Sequence, residues 1–246
     1  MTVFLTENSL SGILATLYYA FTEKVFPDRI KNSDYPERSF TDTFITINAF
    51  PAGEERVKAA IIKYGGMRSL NATKLCLLSC EEDAKKRAFD FLRLTLEKKK
   101  CELENLSEKI VSDFLYTVNR VLFERHRFTG FIRFKETESG ILYAPYSPDN
   151  NITEILMPHF ISRLLYRPFV IHDVKRDIVG ISDGKSFKIV KTDAPAYLSF
   201  SKDEKEWENL FKSYYKSVNI KERKNLKQQD NFLPRRYRKN LPETFE

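Results

Sequence analysis

The stretch Ser107-Glu-Lys-Ile-Val-Ser-Asp-Phe-Leu-Tyr-Thr-Val-Asn-Arg-Val-Leu-Phe-Glu124 runs on through Arg125-His-Arg-Phe-Thr-Gly-Phe-Ile-Arg-Phe-Lys-Glu136 to Gly140-Ile-Leu-Tyr-Ala-Pro-Tyr146, and its period changes on the way. Up to about Glu124 the apolar residues Ile110, Val111, Phe114, Leu115, Val118, Val121 and Leu122 recur every three or four positions. That spacing predicts an amphipathic helix capped by Ser107. After Arg127 apolar and polar residues alternate, which predicts a hairpin of Gly130–Glu136 with Gly140–Tyr146 around residues 137–139. A helix that gives way to paired strands points to an α+β protein: a mainly helical N-terminal part packed on a C-terminal antiparallel sheet with helices. The corresponding division is 1–106 and 107–246.

On the C-terminal side, Ser147–Asn151 reads as a turn, and Thr153 caps a helix to about Tyr166, with Pro158 near its first turns. Phe169–Asp173, Ile178–Ser182 and Ser186–Val190 read as three more antiparallel strands, with Asp183-Gly184 as the last turn. Asp203–Val218 reads as a helix bearing Trp207, Leu210, Phe211 and Tyr214, and by helical spacing Trp207 and the aromatic run Phe211, Tyr214 and Tyr215 are core residues. On the N-terminal side, Thr2–Thr6 is a strand. The helix after it, capped by Asn8, Ser9 or Ser11, carries Ile13, Leu14, Leu17, Tyr18 and Phe21. Phe26–Arg38 reads as loop and Phe44–Ile47 as a second strand. Glu54–Lys100 is helical throughout, broken near Gly65-Gly66 and near Ser79–Glu82.

Composition narrows the classes. A chain of 246 residues with 42% hydrophobic residues can bury a core, and 30% charged residues with eight Gly and ten Pro exclude low complexity. Three cysteines form no disulfide framework, and the apolar run Gly12–Phe21 is too short to cross a bilayer. The expectation is a soluble cytoplasmic protein without membrane contact. Net charge is +7, and from Lys216 onward nine Lys/Arg face four Asp/Glu. That basic end holds Arg223, Arg235, Arg236 and Arg238, interleaved with Phe232, Leu233, Tyr237 and Leu241. Basic residues among aromatics are the footprint of a phosphate-backbone binder, and a solubilising tail is the bland alternative.

On the sheet side, Arg125, Arg127, Arg133, Lys135, Lys175 and Arg176, with Tyr143 and Tyr146, form either a phosphate-contacting, base-stacking surface or a solvated face. His172 and Asp173 are neighbours on one strand, so they point to opposite faces and form no dyad. Either could act as an acid or base with Arg133, Glu136 or Arg176. Gly180-Ile-Ser-Asp-Gly184 matches a nucleophile elbow in letters only, because strands flank it and every histidine lies upstream. Cys76-Leu-Leu-Ser-Cys80 has the first spacing of an iron–sulfur motif, but Asp83 stands where the third cysteine would be. No metal site and no cofactor are expected.

Together, Arg125–Glu136, Gly140–Ile152, Pro158-His-Phe160, Val170–Arg176 and Phe232-Leu-Pro-Arg-Arg-Tyr237 resemble, in order, a bacterial family of DNA metabolism or DNA repair proteins. Arg238 departs from the aromatic residue that relatives often carry there. The resemblance implies DNA as partner and a neighbouring DNA-repair radical SAM protein, which would bring its own iron–sulfur centre. Fusions in some relatives imply a uracil-DNA glycosylase-like partner as well. The leading expectation is a DNA-binding accessory protein of repair. Its alternatives are an enzyme acting on nucleic-acid bases or backbone around Arg133, His172, Asp173 and Arg176, and a pure protein-interaction module.

Overall fold

The computed structural model describes residues 1–35, 41–192, 199–201, 203–218 and 225–241. Two compact units divide it, Met1–Phe123 and Glu124–Glu246. The class is α+β, with a mostly helical N-terminal part and a C-terminal sheet.

In the first unit, β1 (Thr2–Thr6) lies between β2 (Arg29–Asn32) and β3 (Thr43–Thr46), and both pairings are parallel. Parallel strands need a crossover, and α1 (Leu10–Glu23) supplies it between β1 and β2. Ser9 caps α1 by accepting from the Gly12 amide at 3.0 Å. Strand β2 lies inside the segment Phe26–Arg38 that reads as loop. Four residues are too few to show alternation among so many turn formers, and pairing with β1, which buries Ile30, decides their conformation. Residues 36–38 of that segment lie outside the described residues.

Helix α2 (Pro51–Leu77) is kinked at Gly66, whose φ of 71° leaves the helical region. A break follows before α3 (Ala84–Lys98), so both expected interruptions are present. Phe91 of α3 stacks on Phe114 of α4 (Lys109–Phe131) at 4.1 Å. Cys76 is buried, and burial pushes its thiol up to about 12, as befits a small core residue.

Helix α4 does not stop near Glu124. Phe128 and Ile132 extend its buried stripe by four-residue steps, so Gly130 and Phe131 stay helical and the expected first hairpin strand shrinks to β4 (Lys135–Glu136). The second unit holds one sheet in the order β4, β5 (Leu142–Tyr146), β6 (Phe169–Asp173), β7 (Ile178–Ser182), β8 (Phe187–Lys191). The pair β5–β6 is parallel and the others are antiparallel. The parallel pair follows from α5 (Thr153–Arg163), which carries the chain from the end of β5 back to the start of β6. At the β7–β8 turn the Asp183 carboxylate accepts the Lys185 and Ser186 amides, and Gly184 sits at φ 94° with no room for a Cβ beside the Tyr166 carbonyl.

One face of the sheet packs Leu142, Ala144, Tyr146, Phe169 and Ile171 into the core. The other presents Tyr143, Val170, His172 and Ile181, and it is more open. After β8 come α6 (Glu204–Val218), α7 (Leu226–Phe232) and a 3-10 turn over Arg235–Asn240.

Candidate nucleic-acid interface

The described part of the basic end, residues 225–241, is built into the second unit. Pro234 starts the 3-10 turn, and the turn delivers Tyr237, only 6% exposed, against Phe128 at 4.8 Å between ring centres. The Tyr237 hydroxyl donates to Glu124 Oε1 at 2.6 Å and lies 3.0 Å from Asp149 Oδ2. Buried Glu124 also accepts the amides of Asp149 (2.7 Å) and Asn150 (2.8 Å) and the Asn150 side chain (2.6 Å). Burial, and then the Glu124 charge, push the Tyr237 hydroxyl well above the usual phenol range.

Arg236 lies over the Tyr237 ring at 4.7 Å and pairs with Asp149 at 2.8 Å. Arg235 and Arg238 both pair with Asp230, at 3.1 and 2.5 Å, and hold its carboxyl below the usual range. Arg238 also donates to the Leu233 carbonyl. Leu241 is buried with Tyr237, whereas Phe232 is exposed. Arg223 lies outside the described residues.

Strand β6 separates His172 and Asp173 as their alternation requires. His172 Nδ1 shares a hydrogen bond of 2.8 Å with the Tyr143 hydroxyl, and its buried Nε2 has no hydrogen-bond partner among the described residues. Asp173, fully buried, pairs with Arg176 at 2.9 Å and accepts the Lys175 amide at 3.0 Å. Burial raises the Asp173 carboxyl while the Arg176 guanidinium pulls it back. Arg176 further donates to the carbonyls of Pro148 and Asp149, tying the β6–β7 turn to the loop after β5. Arg133 is engaged elsewhere, donating to the Gly130 carbonyl at 2.6 Å. Of these four residues, Asp173 and Arg176 pair with each other, His172 bonds the Tyr143 hydroxyl and Arg133 bonds the Gly130 carbonyl.

The residues that do converge are on α6 and β4. Residues 199–201 add to the outer edge of β4: Glu138 donates to the Ser199 carbonyl, Ser201 to that of Glu136, and Thr137 bridges Phe200. Glu204 then accepts the Glu136 amide at 3.0 Å, which fixes the start of α6 beside β4. The stripe Trp207, Leu210, Phe211 and Tyr214, its aromatics expected as core, instead lines an open groove of about 620 Å³ with Arg133, Phe134 and Lys135. Trp207 is 64% exposed and Tyr214 61%. The side chain of Tyr215 lies outside the described residues. A second cavity of about 460 Å³ shares Arg133, Phe134 and Phe211 and adds Arg163.

Arg133 stands 6.0 Å over the Phe211 ring, and Lys135 is 5.8 Å from Phe200. Two cations, Arg133 and Lys135, thus line the aromatic groove, Arg163 lines the neighbouring cavity, and Glu204 in the groove accepts a backbone amide. Arg125 is half-buried, its Nε without a hydrogen-bond partner among the described residues, while Arg127 and Lys175 are exposed.

Arg163 and the α6 aromatics were not among the expected site residues. A helical stripe in sequence carries no record of whether another element covers it.

The family model for a domain of unknown function (DUF4130) matches residues 82–243. The chain belongs to this family. The match holds every residue of the groove and of the Glu124–Tyr237 network, and it leaves β1, α1 and β2 outside. Comparison with curated proteins and with solved structures returns no match. No helix among the described residues is long and apolar enough to cross a membrane.

Proposed function

We propose that this protein is a DNA-binding accessory protein of DNA repair or metabolism, and that it holds unpaired bases in the groove between α6 and β4. One observation carries the reading: an exposed Trp207, Phe211 and Tyr214 floor lined by Arg133 and Lys135, with Arg163 in the adjoining cavity. Bases stack on aromatic faces in any sequence, and surrounding cations track the backbone, so this combination suits a single strand better than a duplex. A large apolar patch left open on a monomer otherwise needs a partner to cover it.

The accessory role rests on the resemblance to repair proteins and on the fate of His172 and Asp173, each taken up by a structural partner. Reaction chemistry would come from a second protein, and a DNA-repair radical SAM enzyme is the partner the resemblance implies. A uracil-DNA glycosylase-like protein is the other. The test is fluorescence anisotropy with labelled single-stranded and duplex oligonucleotides at several salt concentrations. Single strands bind more tightly, and the log–log salt slope reports the phosphates neutralised, about 0.7 per contact. Equal affinity for both forms, or a flat salt response, contradicts the reading.

A further inference from the structure

The first unit has a site of its own, independent of the groove. Strands β1 and β2 run parallel and end side by side at Thr6 and Asn32. The chain leaves them through Glu7-Asn8-Ser9 and Ser33-Asp34-Tyr35, and the connection from α2 to α3 closes the other side. Between them lies a cavity of about 410 Å³ lined by Asn8, Asp34, Tyr35, Cys80 and Lys85 among others. Ligands of open parallel sheets sit at the carboxyl ends of the strands, and the volume falls in the small-molecule range.

The charges facing this cavity sort into used and available groups. Lys31 pairs with Glu82, and Glu81 pairs with Arg87 and Arg120. Lys85 and Asp34 remain as opposite charges. Lys85 is 93% buried by exposure (7% exposed) and donates to the Thr6 carbonyl at 2.9 Å, which uses one of its three protons. Burial lowers its amine from 10.5 to about 8, with Asp34 acting in the opposite direction. One donor and one carboxylate do not suit a polyphosphate; they suit a neutral, hydroxyl-rich molecule.

Asp34 stands two residues beyond β2, where a carboxylate in a βαβ unit accepts the hydroxyls of a ribose. Tyr35, with the Lys31 ammonium 5.3 Å from its ring centre, offers aromatic surface for a base, and Asn8, its amide donating to the Leu77 carbonyl, keeps an acceptor oxygen. We propose that this cavity binds a ribonucleoside, with Asp34 accepting from the ribose diol and Lys85 donating to the sugar or base.

Calorimetry on the full chain tests this with adenosine, guanosine, cytidine and uridine, each against its 2′-deoxy counterpart. At least one ribonucleoside binds at micromolar to millimolar concentration, and its deoxy form binds about tenfold more weakly or worse, the cost of one charge-assisted hydrogen bond. Asp34→Asn, an exposed position, removes the preference, and inorganic phosphate does not compete. Acetylation of Lys85 by acetic anhydride, mapped by mass spectrometry, slows when the ribonucleoside is present. Trp207→Ala leaves nucleoside binding intact, which separates this site from the groove. No binding by any member of the panel, ribose and deoxyribose forms bound alike, a preference that survives Asp34→Asn, or binding lost with Trp207→Ala would each overturn the proposal.

Discussion

Two segments of the second unit bring arginine and aromatic side chains together, and they use them in opposite ways. In the 3-10 turn, Tyr237 is buried on Glu124, and its flanking arginines close on Asp149 and Asp230. Along α6 and β4, Trp207, Phe211 and Tyr214 stay open beside Arg133 and Lys135. The first segment carries most of the chain's excess charge by sequence, yet its described arginines have carboxylate partners. A cation already paired with a carboxylate must break that pair before it can contact a phosphate, so charge density along the sequence is a poor guide to the binding surface. Exposure of the aromatic partner separates the two cases better: a buried tyrosine marks a structural latch, an open one a platform.

The comparison breaks most visibly at Glu124. Glu124→Ala removes the acceptor of four donors, three of them in or beside the core, and should destabilise the second unit by about 3 kcal/mol or more in urea unfolding. Where the variant is still folded, its affinity for single-stranded DNA should match the parent. Trp207→Ala and Tyr214→Ala should behave in the converse way. Each should weaken single-strand binding by about 1–3 kcal/mol per lost stacking contact, with stability changed by under about 0.5 kcal/mol. Paired anisotropy titrations and unfolding curves decide both.

Tyr237→Phe keeps the packing on Phe128 and deletes the hydroxyl, so it should cost about 1–2 kcal/mol of stability and leave binding alone. The smallest effect belongs to Arg235→Gln. Its pair with Asp230 is exposed on the arginine side, and exposed pairs contribute about 0–1 kcal/mol. A fall in DNA affinity of more than about tenfold in this variant would move the interface back to the basic end.

Much of the architecture is legible in the sequence, because period fixes each element's type. The strands β6, β7 and β8, both interruptions after Glu54, and the Asp183-Gly184 turn are where pattern and turn chemistry place them. Three features depend on tertiary context instead. Strand β2 forms because β1 offers it a ladder, α4 continues to Phe131 because Phe128 and Ile132 find a core, and β5 runs parallel to β6 because α5 crosses between them. For the site, alternation correctly separates His172 from Asp173. It cannot reveal that Asp173 holds Arg176, nor that α6 turns its aromatic stripe outward, since amphipathic spacing is the same for a covered face and an open one.

Trp207 is the single tryptophan of the chain, and it lies in the floor of the groove. Its intrinsic fluorescence therefore reports on that surface directly. Titrating the protein with unlabelled single-stranded DNA should quench Trp207 emission in parallel with the binding curve measured by anisotropy, as bases stack on the indole. DNA binding by anisotropy with Trp207 emission unchanged would contradict the assignment of the interface to α6 and β4.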